Sequence, residues 1–304
     1  MTVFAALVHY QTPELLIACI DSLLDDPQVE VHVWDNASAP ERWTVAEQAL
    51  AGRDRVTLHV SPENIGFGCG VNRLGELVPA QDGDLLWILN PDTVVRPGAV
   101  AELVAAHQAG WDVVSPVITF EVGGEEVVWF AGGDIDARQG SVTHRGLYGP
   151  VPPDGPPRPT PFTTGAAAMV PVALWRQTGG FRDDLFLYWE DVEWSLRAGE
   201  QGLRMAVVPT ARVLHAVGAS SGDNGPVAKS PRYWYYNARN RILVLNTSGT
   251  KRAALLAQVK APTVVARQVL RAAVRDPHHV ASARAALTGV LHGLLGRSGR
   301  WDPL

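Results

Sequence analysis

Residues 1–120 alternate short apolar runs with segments of helical spacing, and few folds accept that succession. Val3–His9 is a continuous apolar run, suited to a strand buried on both faces. Glu14–Leu24 follows at helical spacing, with Pro13 near its start. Val29–Trp34 reads as a second strand and ends in Asp35-Asn36. Trp43–Ala51 then reads as helix, Val56–Val60 as strand, and Gly70–Val78 as helix after the glycine-rich turn NIGFGCG. Asp84–Leu89 is a strand ending at Asn90, and Pro97–Ala109 another helix. The pattern predicts an α/β fold of right-handed βαβ units, with a mostly parallel central sheet flanked by helices. Ligands on such sheets gather at the carboxyl ends of the strands. Those ends here carry His9-Tyr10, Asp35-Asn36 and Asn90-Pro91-Asp92.

After Val114 the pattern changes. Val117–Ile135 has the character of a β-hairpin with Gly123-Gly124 as its turn. Gly149–Pro161 holds seven prolines in thirteen residues, too many for regular structure. It reads as an interdomain linker or as a surface loop beside the active site, before an apolar strand at Ala166–Val170. The last fifty residues return to helical spacing. Arg267, Arg271 and Arg275 share one face with Val265 and Val269 roughly opposite, and Leu287, Leu291, Leu294 and Leu295 form a second stripe. Pro262 and Pro277 divide these into short helices.

Size and charge bound what such a chain does. Its 304 residues, 46% of them hydrophobic, support one large core and a smaller appendage. The domain division expected is 1–250 for the sheet domain and 251–304 for a basic helical extension. From Lys251 onward nine Lys/Arg face two Asp/Glu, although the whole chain carries −5. A basic tail on an acidic body suits an anionic membrane surface or a lipid diphosphate, or is a solvated helix face. Nucleic acid is not an expected partner. Cys19 and Cys69 lack metal-ligand spacing and read as small core residues in a reducing compartment. The N-terminus enters TVFAALVHY without a charged region before it, so no signal peptide is expected. The location expected is cytoplasmic, associated at most with the inner face of the membrane.

Three polar positions carry chemistry. Asp92, fixed at a strand end by LLWIL, suits a hard cation whose shell is completed by phosphates and water; NPD is equally a run of turn formers. His215 ends AVVPTARVLH, as a ligand or as a hydrogen-bonded structural histidine. Asp191, on a short helix after DDLFLYWE, is placed to act as a general base or is an acid favoured in a helix's first turn. Phe186, Tyr188, Trp189 and Trp194 supply a sugar-stacking wall or core.

These blocks in this order, NPD after an apolar strand, TGAAAMVPVALWRQTGGFRDDLFLYWEDVEWSLRAGEQG, then a strand and LHAVGASSG, resemble the inverting glycosyltransferase family 2 of GT-A fold, in its bacterial rhamnosyltransferase-like branch. The similarity runs from Val3 to about Leu245. The resemblance implies a donor site built from Val8, Tyr10, Asp35, Asn64, Gly66, Asn72, Asn90 and Asp92, with Asp35 on the pyrimidine ring. It implies acceptor contacts from Gly165, Trp189 and Glu190, and Asp191 as catalytic base. It implies Mg²⁺ or Mn²⁺ held by Asp92, with His215 as a second ligand. The acidic triplet of the family usually begins with Asp, and Asn90 stands there, which leaves Asp92 the motif's single carboxylate and raises the weight on His215.

The implied partners are a nucleotide-sugar donor, UDP- or dTDP-linked with a lean toward dTDP-rhamnose, and a glycan, lipid-linked or small-molecule acceptor, as in bacterial cell-envelope polysaccharide synthesis. The block SPRYWYYNARNRILVL also occurs in this branch; Arg239 and Arg241 there hold a diphosphate or pair locally. Two rival readings meet obstacles in the sequence. A sugar-1-phosphate nucleotidylyltransferase calls for a glycine-rich loop with Arg and Lys after the first strand, where this chain reads VHYQTPELL. A non-catalytic nucleotide- or glycan-binding module has no need of a base.

Overall fold

The computed structural model describes residues 1–136, 140–216, 229–247, 270 and 279–302. The alternating half folds as its periodicity dictates: β1 (Val3–His9), α1 (Pro13–Leu24), β2 (Val29–Asp35), α2 (Pro40–Leu50), β3 (Val56–Val60), α3 (Phe67–Leu77) and β4 (Leu85–Leu89). Next come β5 (Thr93–Val95), α4 (Ala99–Gln108), β6 (Val113–Val122), β7 (Glu125–Phe130), β8 (Gly133–Asp136), β9 (Ser141–His144) and β10 (Arg158–Pro159). The chain continues through β11 (Ala167–Pro171), α5 (Val172–Thr178), α6 (Glu190–Glu200), β12 (Met205–His215), α7 (Pro231–Thr247) and a C-terminal helix, His279–Leu294.

The main sheet runs β10-β12-β6-β11-β4-β1-β2-β3. β1, β2, β3 and β4 pair in parallel, as do β6 and β12, whereas β11 lies antiparallel between β4 and β6. Successive side chains of a strand point to opposite faces. Val3, Ala5 and Leu7 therefore pack on one side with α1 (Leu16, Ile20, Leu23), α2 and α4, and Phe4, Ala6 and Val8 pack on the other with α3, α5 and α6. Each such side chain fully removed from water contributes about 1.5–3 kcal/mol.

Three sequence expectations are revised. The hairpin closes as β6–β7 around Gly123-Gly124, but residues 133–136 pair with β9 in a separate two-stranded sheet. Within the proline-rich stretch Arg158-Pro159 forms a short strand on β12. Proline fits there because the outer side of an edge strand needs no N–H donor. α3 begins at Phe67, not Gly70, because Gly66 holds φ +91° and turns the chain into the helix.

The C-terminal helix packs along α7. A Cβ on Gly289 would lie 2.3 Å from the Tyr235 carbonyl, so the backbones meet more closely than any side chain allows. Trp301 stacks on Tyr235 at 4.0 Å, and the Tyr235 hydroxyl lies 2.7 Å from His292 Nδ1. Arg267, Arg271 and Arg275, with Val265, Val269, Pro262 and Pro277, lie outside the described residues, as does the small-residue segment after Ala216.

Candidate active site

Sheet order brings Asp92 and His215 together across 123 positions of sequence. β5 pairs antiparallel with the end of β12, placing Thr93 opposite His215, and the Ala216 amide donates to the Asp92 carbonyl at 2.8 Å. His215 Nε2 then stands 3.0 Å from Asp92 Oδ1, with both side chains buried. Asn90 Nδ2 lies 3.4 Å from the same ring nitrogen. The Asn90 carbonyl accepts from the Thr93 hydroxyl at 2.7 Å, which fixes the turn after β4.

One carboxylate oxygen and one imidazole nitrogen converging at 3.0 Å suit neighbouring ligands of a six-coordinate Mn²⁺ or Mg²⁺, which sit ~3 Å apart when each bond is about 2.1 Å. His215 Nδ1 is buried without a partner. Among the described residues no cluster of three or more His, Cys, Asp or Glu is poised for a metal.

The carboxylate pair Glu190-Asp191 opens α6 after a turn whose Phe186, Tyr188 and Trp189 all have positive φ (65°, 67° and 73°). Asp191 Oδ2 accepts from the Gly165 amide at 3.0 Å, and its Oδ1 from the Val192 amide at 2.8 Å. Burial raises the Asp191 pKa, and these amides, His144 and the Thr164 hydroxyl oppose the rise. Glu190 is 6% exposed and its Oε2 has no partner. Burial first, and the Asp191 charge second, push its carboxyl up to about 8. Glu190 therefore keeps its proton near neutral pH, whereas Asp191 beside it receives two backbone amides that favour its charged form.

His144 and Trp129 join the two halves of the site. The Trp129 ring meets His144 at 4.8 Å and His215 at 4.9 Å, edge-on in both cases. The Trp129 carbonyl lies 2.9 Å from His144 Nδ1, and burial lowers the His144 pKa. The imidazole is thus mainly neutral, with its Nδ1–H donating to that carbonyl. Sequence reading missed both residues. His144 ends a four-residue strand too short for a periodic signal, and Trp129 sits in a hairpin that reads only as structure.

The residues expected at the donor site divide into exposed and buried ones. Tyr10, 38% exposed, stands beyond the end of β1, whereas Val8 is core beneath Gly70 of α3. Asp35 is 1% exposed: its Oδ1 pairs with His9 Nδ1 at 2.9 Å and its Oδ2 accepts from the Ser38 amide at 3.1 Å. The Thr12 amide donates to His9 Nε2 at 3.1 Å, so Nδ1 carries the ring proton toward Asp35. Asn64 Oδ1 accepts from the Gly66 amide and from Asn36 Nδ2. Asn72 bridges α3 to Phe181 and Asp183. Gly66 is required sterically, since a Cβ there would lie 2.3 Å from the Phe186 carbonyl. Trp189 Nε1 donates to Asn237 Oδ1 at 3.1 Å.

Of the two roles open to Arg239, local pairing holds. It is 1% exposed, donates to the Leu185 and Gly299 carbonyls and lies over the Tyr235 and Tyr236 rings, beyond the reach of a diphosphate. Arg241, beside it on α7, is 7% exposed.

Comparison with known proteins matches this geometry to a family. The model described as "Glycosyltransferase like family 2" matches residues 3–237. The N-acetylglucosaminyl-diphospho-decaprenol L-rhamnosyltransferase of Mycobacterium tuberculosis is 29% identical over 232 residues, covering 66% of this chain and 71% of that protein. Among solved structures, S. aureus TarS 1-349 in complex with UDP-GlcNAc superposes with TM-score 0.56 at 14% identity, over 100% of this chain and 95% of that one. GalNAc-T7 with UDP, GalNAc and Mn²⁺ gives TM-score 0.60 at 17% identity, over 71% of this chain and 44% of that one. The architecture is the GT-A fold that the order of the motifs implies.

Proposed function

The chain belongs to glycosyltransferase-like family 2, on its rhamnosyltransferase-like branch, and from that premise we propose that it transfers L-rhamnose from dTDP-rhamnose to a lipid-linked N-acetylglucosaminyl diphosphate, with inversion. The observation that carries the proposal is a pair of buried polar groups joined through Trp129 and His144. A buried carboxylate–imidazole pair, Asp92–His215, is one of them, and Asp191, held by two backbone amides beside a protonated Glu190, is the other. A binding module has no use for a carboxyl held by two amides beside a second that keeps its proton to about 8.

In this reading Asp92 and His215 hold a divalent cation, which supplies Lewis-acid charge to the departing diphosphate. Asp191 keeps lone pairs beyond those taken by the Gly165 and Val192 amides, and it takes the proton of the acceptor hydroxyl as that oxygen attacks. Attack from the side opposite the leaving group inverts the anomeric centre without a covalent enzyme intermediate. Glu190, protonated, donates a hydrogen bond to a sugar hydroxyl. Tyr10 and the Asp35–His9 pair form the nucleoside end, with Asn64, Gly66, Asn72 and Asn90 shaping its wall. Gly165 and Trp189 line the acceptor side.

The extension beyond residue 250 provides the membrane contact in this reading. No helix among the described residues is long and apolar enough to cross a membrane. The C-terminal helix instead leaves Val280, Leu287, Leu291, Leu294 and Leu295 more than half exposed, with Arg297 and Arg300 following. An apolar stripe flanked by arginines suits the surface of an anionic bilayer.

Two experiments test the function. Thermal shifts with dTDP-, UDP- and GDP-sugars, each with and without Mn²⁺, are expected to single out dTDP-rhamnose with metal. Mass spectrometry should then detect rhamnose added to a short-chain polyprenyl-diphosphate N-acetylglucosamine. A metal-dependent shift with a UDP-sugar alone, or no transfer to that acceptor, overturns the corresponding half of the proposal.

A further inference from the structure

The turn from Leu185 to Trp189 is backbone under strain. Phe186, at φ 65° and ψ −55°, is the centre of a three-residue turn closed by the Leu187 amide on the Leu185 carbonyl at 2.8 Å. Tyr188 and Trp189 follow at φ 67° and 73°. Aromatic L-residues are disfavoured in that region, so such a turn persists only where its surroundings over-determine it.

The over-determining contact comes from α7. The Asn240 carboxamide nitrogen donates to the carbonyls of Leu185, Leu187 and Tyr188 at 2.9, 2.8 and 2.8 Å. Its oxygen accepts from Arg239 Nε at 2.8 Å, and the side chain is 0% exposed. Its orientation is fixed, because a flipped amide would set an oxygen against three carbonyls and an NH₂ against a guanidinium. Arg239 adds a donor to the Leu185 carbonyl at 2.8 Å, and Asn237 receives the Trp189 indole. Of the turn's two remaining carbonyls, Phe186 accepts the first amide of α3 and Trp189 the Glu193 amide, each at 2.9 Å. The next residues are Glu190 and Asp191.

We infer that Asn240 is a positioning residue for the transfer reaction, gripping the strained turn so that Asp191 is presented to the acceptor hydroxyl. The inference rests on the proposal that Asp191 is the base. It gives the NARN segment of α7 a task other than phosphate binding. Asn240 touches no reacting atom, so its removal should act on kcat and leave donor binding intact.

The test is a double-mutant cycle with dTDP-rhamnose and a short-chain polyprenyl-diphosphate N-acetylglucosamine, beside hydrogen exchange of peptides covering 185–193. Asn240→Ala is expected to lower kcat about 10–100-fold with donor KM within about threefold, and Asp191→Ala about 10³-fold. Added to Asp191→Ala, Asn240→Ala should cost nothing further, because its effect runs through the carboxylate. Exchange across 185–193 should quicken about tenfold while the β4 amides stay unchanged. Asn237→Ala, at the half-buried Trp189 end, carries the same cycle if Asn240→Ala does not fold. Full kcat in the single variant, donor KM rising as kcat falls, or losses that multiply in the double variant overturn the inference. Normal turnover in Asp191→Ala overturns the base assignment and the clamp together. If wild type does not use dTDP-rhamnose, the donor proposal fails alone, and unchanged exchange across 185–193 in Asn240→Ala overturns the clamp.

Discussion

Replacing Glu190 with glutamine should stabilise the protein, and increasingly so as pH rises. The Glu190 carboxyl ordinarily ionises near 4.5 and here keeps its proton to about 8, through burial and then through the Asp191 charge. Between those values the unfolded chain has released the proton and the folded chain still holds it. The folded state binds more protons there, so stability falls as pH rises through the window and levels off above it. At about 1.4 kcal/mol per pH unit, ionising Glu190 inside the fold costs on the order of 5 kcal/mol. Water entry and local relaxation around the new charge reduce the net penalty to about 2–4 kcal/mol. Glutamine has nearly the same shape and no charge to bury. At about 2 °C per kcal/mol for a chain of this length, the Glu190→Gln protein should melt about 4–8 °C above wild type at pH 8.5 and level with it at pH 4.5. The assay is differential scanning calorimetry of both proteins from pH 4.5 to 9, without metal or nucleotide. Asp191→Asn in the same series should recover part of the gain by removing the neighbouring charge. A gap between Glu190→Gln and wild type that stays constant across the range would refute the reasoning, because a fixed offset reports packing and not a buried proton.

Four further outcomes follow from the site. Asp191→Asn should lose about 10³-fold in kcat while its donor Kd, measured by calorimetry, stays within about threefold; near-normal turnover removes Asp191 as the base. In wild type the acid limb of kcat/KM should lie above the ordinary carboxylate range, since burial raises the Asp191 pKa and the base must be ionised to act. His215→Ala should raise the Mn²⁺ concentration needed to stabilise the dTDP complex about tenfold or more; an unchanged titration removes His215 as a ligand. Gly66→Ala sets a methyl 2.3 Å from the Phe186 carbonyl at a backbone angle of φ +91°. It should cost about 2–4 kcal/mol in urea unfolding, with activity falling as the turn shifts; wild-type stability would mean that the turn adapts freely.

Local periodicity made the sheet legible. β1 to β4 and their helices follow from alternation and helical spacing, because each element's burial is written into its own few residues. Tertiary pairings were not legible in this way. Asp92 meets His215 because three-residue β5 turns back on β12, and so short a strand carries no pattern of its own. Arg158-Pro159 becomes an edge strand against the prior of its composition, since only its neighbour β12 makes that possible. Arg239 reads equally as a diphosphate ligand or a locally paired arginine, and only the fold decides, by enclosing it between two tyrosines and two carbonyls. Positive φ at Phe186, Tyr188 and Trp189 leaves no mark in the sequence, because nothing about an aromatic side chain announces a left-handed backbone.

The adjacency of Glu190 and Asp191 shows how one dipeptide comes to serve two walls of a cleft. Consecutive residues on a helix diverge by about 100°, so the two carboxyls cannot share an environment. Asp191 turns toward the entry of β11 and receives the Gly165 amide. Glu190 turns toward the start of α3, where a Cβ on Gly68 would lie 3.6 Å from its own Cβ, and its Oε2 receives no donor. Hydrogen bonds to a carboxylate favour its charged form, and burial without them favours the neutral one. The same chemical group is thus held by two amides on one side and keeps its proton on the other. The difference is set by the backbone each side faces, and that backbone is held in place by a turn whose conformation its own residues disfavour. The Glu-Asp motif alone does not specify the two environments; the fold around its preceding turn does.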